Sequence, residues 1–174
     1  DVADAIAGAR DIIAEQISDN ADYRKYIRDI TREEGILTST AKDEKAQSVY
    51  EMYYEFDEPV NKLAGHRILA LNRGENEKIL NVKVEAPEED ILRFLERKVI
   101  TRDNPNTTPV LKEVVADAYD RLIAPAIERE IRSSLTEMAE DGAIRVFGKN
   151  LEQLLMQPPR QGCAWLGSGI PHRM

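Results

Sequence analysis

Apolar residues three and four apart, broken by glycine and proline, commit most of this chain to short amphipathic helices. Val2, Ile6, Ala9, Ile13 and Ile17 form one such stripe, and Tyr23, Tyr26, Ile27 and Ile30 form the next. Ser18-Asp19-Asn20 supplies capping residues between them, and Gly35 is the expected stop, so the two helices should form an antiparallel pair. A third helix is expected through Val49, Met52, Tyr53 and Phe56, ending at Asp57-Glu58-Pro59 because proline forbids a clean continuation. Val60, Leu63, Ala64, Ile68 and Leu71 mark a fourth, which Gly74 should terminate.

Two stretches depart from that spacing. Ile36 to Thr40 is β-branched and follows directly on a glycine break, and Leu80, Val82 and Val84 alternate with Asn81, Lys83 and Glu85. They read as two strands that pair with each other, and helices must pack on the face of so small a ribbon. Pro87 followed by Glu88, Glu89 and Asp90 suits the first turn of a helix carrying Ile91, Leu92, Leu95 and Val99. Compensation of the helix dipole explains that acidic trio more simply than a metal site does.

Thr101 to Pro109 is a polar linker and the expected domain boundary. Helix resumes at Thr108-Pro109, with Leu111, Val114, Val115, Ala118 and Leu122 on one face until Pro125 interrupts or kinks it. Ile127, Ile131, Leu135 and Met138 resume the stripe. After Gly142 and Gly148 the apolar set moves to Ile144, Phe147, Leu151 and Leu154, so the helix either breaks there or turns a different face to a neighbour; Pro158-Pro159 ends it. The fold class that follows is mainly α: a multi-helix domain over 1–100 with a small two-stranded β element, and a long helical connector over 101–159.

Composition narrows the function classes. With 32% charged and 6% aromatic residues, 174 residues can bury a core but show no run apolar enough to span a bilayer. One Cys rules out a disulfide framework, and the acidic start is unlike a signal peptide, so the cytoplasm and no membrane partner are expected. A start at Asp1 without Met leads us to expect that an upstream segment has been removed. A net charge of −8 and a pI near 4.9 repel phosphate overall, so any nucleic-acid contact must be local.

No nucleophile beside a base, phosphate-binding loop, dinucleotide fingerprint or metal-ligand spacing is present, and His66 and His172 are far apart; neither catalysis nor a cofactor nor a metal is expected. Glu33-Glu34, Glu88-Glu89 and Glu140-Asp141 read as solvated helix ends, and Tyr23, Tyr26, Met52 and Tyr53 as core rather than a base-stacking platform. One stretch runs against the acidic trend. Between Val60 and Val84, Lys62, Arg67, Arg73, Lys78 and Lys83 stand against Glu75 and Glu77, five bases less two acids, a local balance of +3. Lys62, His66, Arg67, Arg73 and Lys78 are therefore the candidate nucleic-acid contacts. The plainer account is that Arg67 and Arg73 pair with nearby acids while Gly74 caps the helix.

Four segments, in order, resemble consecutive parts of the Tex family of bacterial transcription accessory proteins: Ala7-Gly8-Ala9-Arg10-Asp11-Ile12-Ile13-Ala14-Glu15, Arg32-Glu33-Glu34-Gly35-Ile36-Leu37, His66-Arg67-Ile68-Leu69-Ala70-Leu71-Asn72-Arg73-Gly74-Glu75 and Phe147-Gly148-Lys149-Asn150-Leu151. The similarity runs from about Ala5 to Pro159 and is specific as a set. It implies a nucleic-acid-binding transcription accessory factor, related to a eukaryotic elongation factor and built from helical segments, an RNase H-like domain, helix-hairpin-helix elements and a C-terminal S1 domain that carries most RNA binding. This chain would be the helical part that holds the N-terminal arm and the RNase H-like domain in register. The implied partners are RNA or DNA through the full-length parent, and the transcription machinery. Oligomers would form through apolar faces that missing neighbours should cover.

Beyond Pro159 the resemblance stops. Shifted by one base, codons for Arg160 to Met174 can spell Gly-Arg-Val-Val-Leu-Gly-Leu-Asp-Pro-Ala-Tyr-Arg-Thr-Gly-Cys, which is similar to that family's entry into the RNase H-like domain. Residues 160–174 are therefore read as a non-native, frameshifted tail, and no function is placed on Cys163, Trp165 or His172.

Overall fold

The computed structural model describes residues 1–158, and the reading of the tail lies outside the described residues. Helix α1 (Val2–Asp19) is joined to α2 (Ala21–Glu34) by Asn20 alone, whose side chain accepts from the Asp22 and Tyr23 amides at 3.0 and 3.2 Å. That cap occupies one of the predicted residues and satisfies donors the first turn cannot bond internally. Gly35 ends α2 in an extended conformation, where a Cβ would sit 2.2 Å from the Thr31 carbonyl oxygen. Only glycine fits there.

Strand β1 (Ile36–Ala41) is the centre of an antiparallel sheet, flanked by β2 (Glu55–Pro59) and β3 (Leu80–Glu85). The predicted pairing of the two strands is present, in a register that runs from Ile36 opposite Glu85 to Ala41 opposite Leu80. The third strand corrects the expected helix over Val49 to Phe56, which is reduced to a single 3₁₀ turn, Glu51–Tyr53. The spacing misled because Val49 and Met52 are 85% and 72% exposed, so only Tyr53 and Phe56 have inward contacts. One face of the sheet carries Leu37, Ser39, Leu80 and Val82 into the core, while the other faces solvent, as an antiparallel sheet permits.

Helix α3 (Gly65–Asn76) follows a 3₁₀ turn, Val60–Lys62, and does not stop at Gly74. Gly74 is buried inside the helix, where an added Cβ would meet Leu80 Cδ1 at 2.5 Å and Tyr50 Cδ1 at 3.3 Å. This glycine serves close packing. The turn it was expected to make falls to Lys78, at φ 62°, with the Lys78 and Ile79 amides donating to Glu75 and Gly74 carbonyls.

Helix α4 (Glu88–Val99) has Pro87 at its cap, Glu88, Glu89 and Asp90 in its first turn and Arg97 and Lys98 in its last, and buries Ile91 and Leu95. Helix α5 (Thr108–Asp117) runs without interruption through a π-helical turn, Ala118–Ile123, into α6 (Ala124–Leu155). Pro125 lies just inside α6, and the widened turn before it accommodates a residue without an N–H and with a bulky ring. The helix is thus locally unwound by proline and neither broken nor stopped. Gly142 and Gly148 also lie within α6.

The core joins all these elements around Ile27, Leu37, Leu71, Leu80, Ile91, Leu95, Val115, Ile123 and Ile131. On α1 the expected stripe is only partly used: Ile17 is buried and Ile13 half-buried, with Ala14 buried beside them, whereas Ala9 is exposed and Val2 and Ile6 are 74% and 51% exposed. Helix α6 divides in two. Ile127, Ile131, Leu135 and Ala139 are buried, and from Glu140 onward every residue of the helix is exposed, including Ile144, Phe147, Leu151 and Leu154.

Candidate nucleic-acid interface

The basic stretch folds into the 3₁₀ turn, α3 and the turn into β3, so its charges line up along an element about 18 Å long. Lys62 is exposed at one end, Lys78 at the other, and His66 and Arg73 between them are exposed and seven residues apart, on one helical stripe. Arg67 points elsewhere. Its Nη1 donates to Glu58 Oε2 at 2.8 Å, and its guanidinium lies 5.8 Å from the Phe56 ring centroid, which ties the first turn of α3 to β2.

Arg67 is therefore held as the plainer account requires. Among the described residues Lys62, Arg73 and Lys78 form no ion pair. Arg73 nevertheless shares the α3/α6 groove with Glu75 and Glu140. Glu77 lies at the same end and accepts from the Tyr50 hydroxyl at 2.9 Å; burial first, then Glu77, holds that phenol above its usual pKa, while the Arg73 charge opposes them. The ridge is thus cationic in places, with acids beside it. The backbone also brings Lys42 to it, since the Lys42 amide donates to the Ile79 carbonyl at 3.0 Å. No spacing in the sequence marks that neighbour.

What positions α3 is a polar network that sequence reasoning missed. Arg132, on α6, donates to the Val82 carbonyl at 3.2 Å, to Asn72 Oδ1 at 3.1 Å and to Glu75, and Asn72 in turn donates to Thr136 Oγ1 at 2.8 Å. One turn earlier, Glu128 accepts from the Val84 amide at 3.0 Å. Residues four apart on α6 thus satisfy alternate backbone groups on the free edge of β3, where a further strand would otherwise bind. The available signal was a charged pair, Glu128 and Arg132, adjoining the buried Ile127 and Ile131.

The aromatics considered as a stacking platform are engaged internally. Tyr26 stacks on Phe94 with centroids 3.7 Å apart, Tyr23 meets the same ring edge-on at 6.0 Å, and Tyr53 meets Phe56 edge-on at 5.3 Å. Among the described residues no group of three or more His, Cys, Asp or Glu is arranged to hold a metal ion, and no helix is long and apolar enough to cross a membrane. The arrangement offers isolated cations to a phosphate.

A family described as Tex central region-like matches residues 1–147. The chain is 48% identical to uncharacterized protein YdcI of Bacillus subtilis, over 94% of this chain and 23% of that protein. It is 30% identical to the human S1 RNA-binding domain-containing protein 1, over 92% of this chain and 18% of that one. It is 28% identical to the transcriptional accessory protein Tex of Neisseria gonorrhoeae, over 94% of this chain and 22% of that one. The chain thus spans about a fifth of the length of these relatives.

Proposed function

We propose, from the premise that this chain belongs to the Tex central region-like family, that it is a non-catalytic helical scaffold within a nucleic-acid-associated transcription accessory protein. One observation carries this reading. Helix α6 is anchored through its first half by the core and by the Arg132 network, and extends its second half, with Ile144, Phe147, Leu151 and Leu154, as an exposed apolar stripe. A rigid helix anchored at one end and apolar at the other transmits a fixed position to whatever packs on it. In this reading residues 1–100 form the anchoring unit, 101–159 the connector and 160–174 a tail without function. The parent acts in the cytoplasm, and contacts RNA or DNA and the transcription machinery through its other parts. The names of the relatives, an S1 RNA-binding protein and a transcriptional accessory protein, support this assignment.

The second reading, favoured by the exposure of Lys62, Arg73 and Lys78, which form no ion pair among the described residues, is direct phosphate contact along α3. Fluorescence anisotropy with labelled single-stranded RNA and duplex DNA, titrated against salt, separates the two. The scaffold predicts no binding at micromolar protein. A ridge predicts binding that weakens steeply with salt, with a slope that falls by about one for each phosphate-contacting cation removed.

A further inference from the structure

We infer that the groove between α2 and α6 binds a phosphate group, a proposal that goes beyond the scaffold reading and does not involve the α3 ridge. Arg28 and Arg32 stand one turn apart on α2, and Arg129, Ser133 and Glu137 stand at four-residue intervals on α6. Between the two helices lies an open groove of about 560 Å³, lined chiefly by Arg32, Arg129, Glu130, Ser133, Ser134 and Glu137. That volume is ample for a phosphate and for the group that carries it.

The positive charges of the groove are not matched internally. Glu130 is engaged by Arg28, whose Nε donates to Glu130 Oε2 at 2.7 Å, while Arg129 uses only its Nε, on the Pro125 carbonyl at 3.3 Å. Among the described residues neither Arg32 nor Arg129 forms an ion pair, although Glu137 lines the same groove. With Arg28 included, three arginines against two glutamates leave one positive charge there, in a chain whose net charge is −8. The hydroxyls add donors. Hydroxyls on helices commonly turn back to the carbonyl four residues earlier, as Thr31 and Thr136 do at 2.6 and 2.9 Å. Ser133 and Ser134 make no such bond among the described residues, so both can donate into the groove. Two guanidinium forks and two hydroxyls offer more donors than the oxygens of a carboxylate can use, and the additional oxygens of a phosphate use them. Glu137 opposes the anion, which holds the affinity for inorganic phosphate to about a millimolar.

Amide and side-chain NMR spectra of the isotope-labelled 174-residue chain, titrated with inorganic phosphate to about 20 mM at constant ionic strength, test the site. The Ser133 and Ser134 amides and the Arg32 and Arg129 Nε–H signals should shift and saturate, with a midpoint of about 1 mM. Arg32→Gln and Arg129→Gln should each weaken binding about five- to tenfold, Glu137→Gln should tighten it about two- to threefold, and Arg73→Gln should leave it unchanged. All four positions are exposed, so these variants should melt with the parent chain. Shifts that chloride reproduces, shifts centred on Lys62, Arg73 and Lys78, or binding indifferent to both arginine substitutions overturn the proposal. The phosphate has two sources, a small phosphorylated molecule or the backbone of a nucleic acid, and a 5′-nucleoside monophosphate and a single-stranded RNA separate them. Displacement of inorganic phosphate by the monophosphate and not by the RNA assigns the small molecule. RNA that binds through Arg32 and Arg129 at micromolar protein assigns the nucleic acid, and then the scaffold reading falls while the phosphate site stands. A chain that ignores phosphate and RNA alike overturns the site and leaves the scaffold reading intact.

Discussion

Replacing Arg132 by Met keeps most of the side-chain stem and removes every hydrogen bond that joins α6 to α3 and β3 through the guanidinium. Two of those bonds reach neutral acceptors, the Val82 carbonyl and Asn72 Oδ1, and contribute about 0.5–1.5 kcal/mol each. The third is charge-assisted, to Glu75, whose side chain is 38% exposed, so its worth is discounted towards about 1 kcal/mol. The sum is about 3 kcal/mol, and for a chain of this size it lowers Tm by about 6–12 °C. Thermal melts followed by circular dichroism measure it. Hydrogen exchange should show faster exchange at Val84 and at Asn72 than in the parent chain. Glu75→Gln should cost less than about 1 kcal/mol, since the exposed partner can turn to water, and the double variant should show coupling of about 1 kcal/mol. An Arg132→Met variant within about 0.5 kcal/mol of the parent would refute the claim that this network sets the position of α3.

Three further outcomes follow from particular residues. Gly74→Ala should destabilise by about 1 kcal/mol in urea melts and Gly74→Val by at least about 2, because overpacking against Leu80 outweighs the helix preference of alanine; a stabilising Gly74→Ala would show that close approach is not why glycine stands there. Lys78→Gly should stabilise by about 1 kcal/mol by relieving the left-handed backbone at φ 62°, and if α3 contacts phosphate it should also lower the salt slope of binding by about one. Burial first, then the charges of Glu88 and Asp120, pushes the Tyr119 phenol from 10.0 up to about 12. The folded state therefore holds its proton more tightly: the contribution is complete below pH 10 and is lost as pH rises towards 12, by about 2–3 kcal/mol. Tyr119→Phe lacks that dependence, so a stability difference between the two proteins that stays flat from pH 9 to 12 would refute it.

Much of the architecture was legible from local chemistry. Asn20 caps α2, Pro87 and its acids open α4, and alternation at Leu80, Val82 and Val84 marks β3 in its pairing with β1. Each of these depends on interactions within a few residues, or on a period that burial of one face imposes. The exposure of Lys62, His66, Arg73 and Lys78 belongs to the same class, because long charged side chains seldom pay to be buried unpaired.

Contacts between distant residues were not legible. Strand β2 was read as helix because Tyr53 and Phe56 are three apart, and only the sheet's demand for a partner at Leu37 and Ser39 reveals the strand. Gly74 looks like a stop until Leu80 and Tyr50 pack against it, and although Arg67 was expected to pair with a nearby acid, only the fold shows that the acid is Glu58 on β2. The sequence alone determined a helical chain with a small sheet and a local cluster of cations, since periodicity and capping are local. Tertiary structure decided which of two equally apolar stripes on α6 is core and which stays open, because burial depends on what lies opposite, and no residue carries that information by itself.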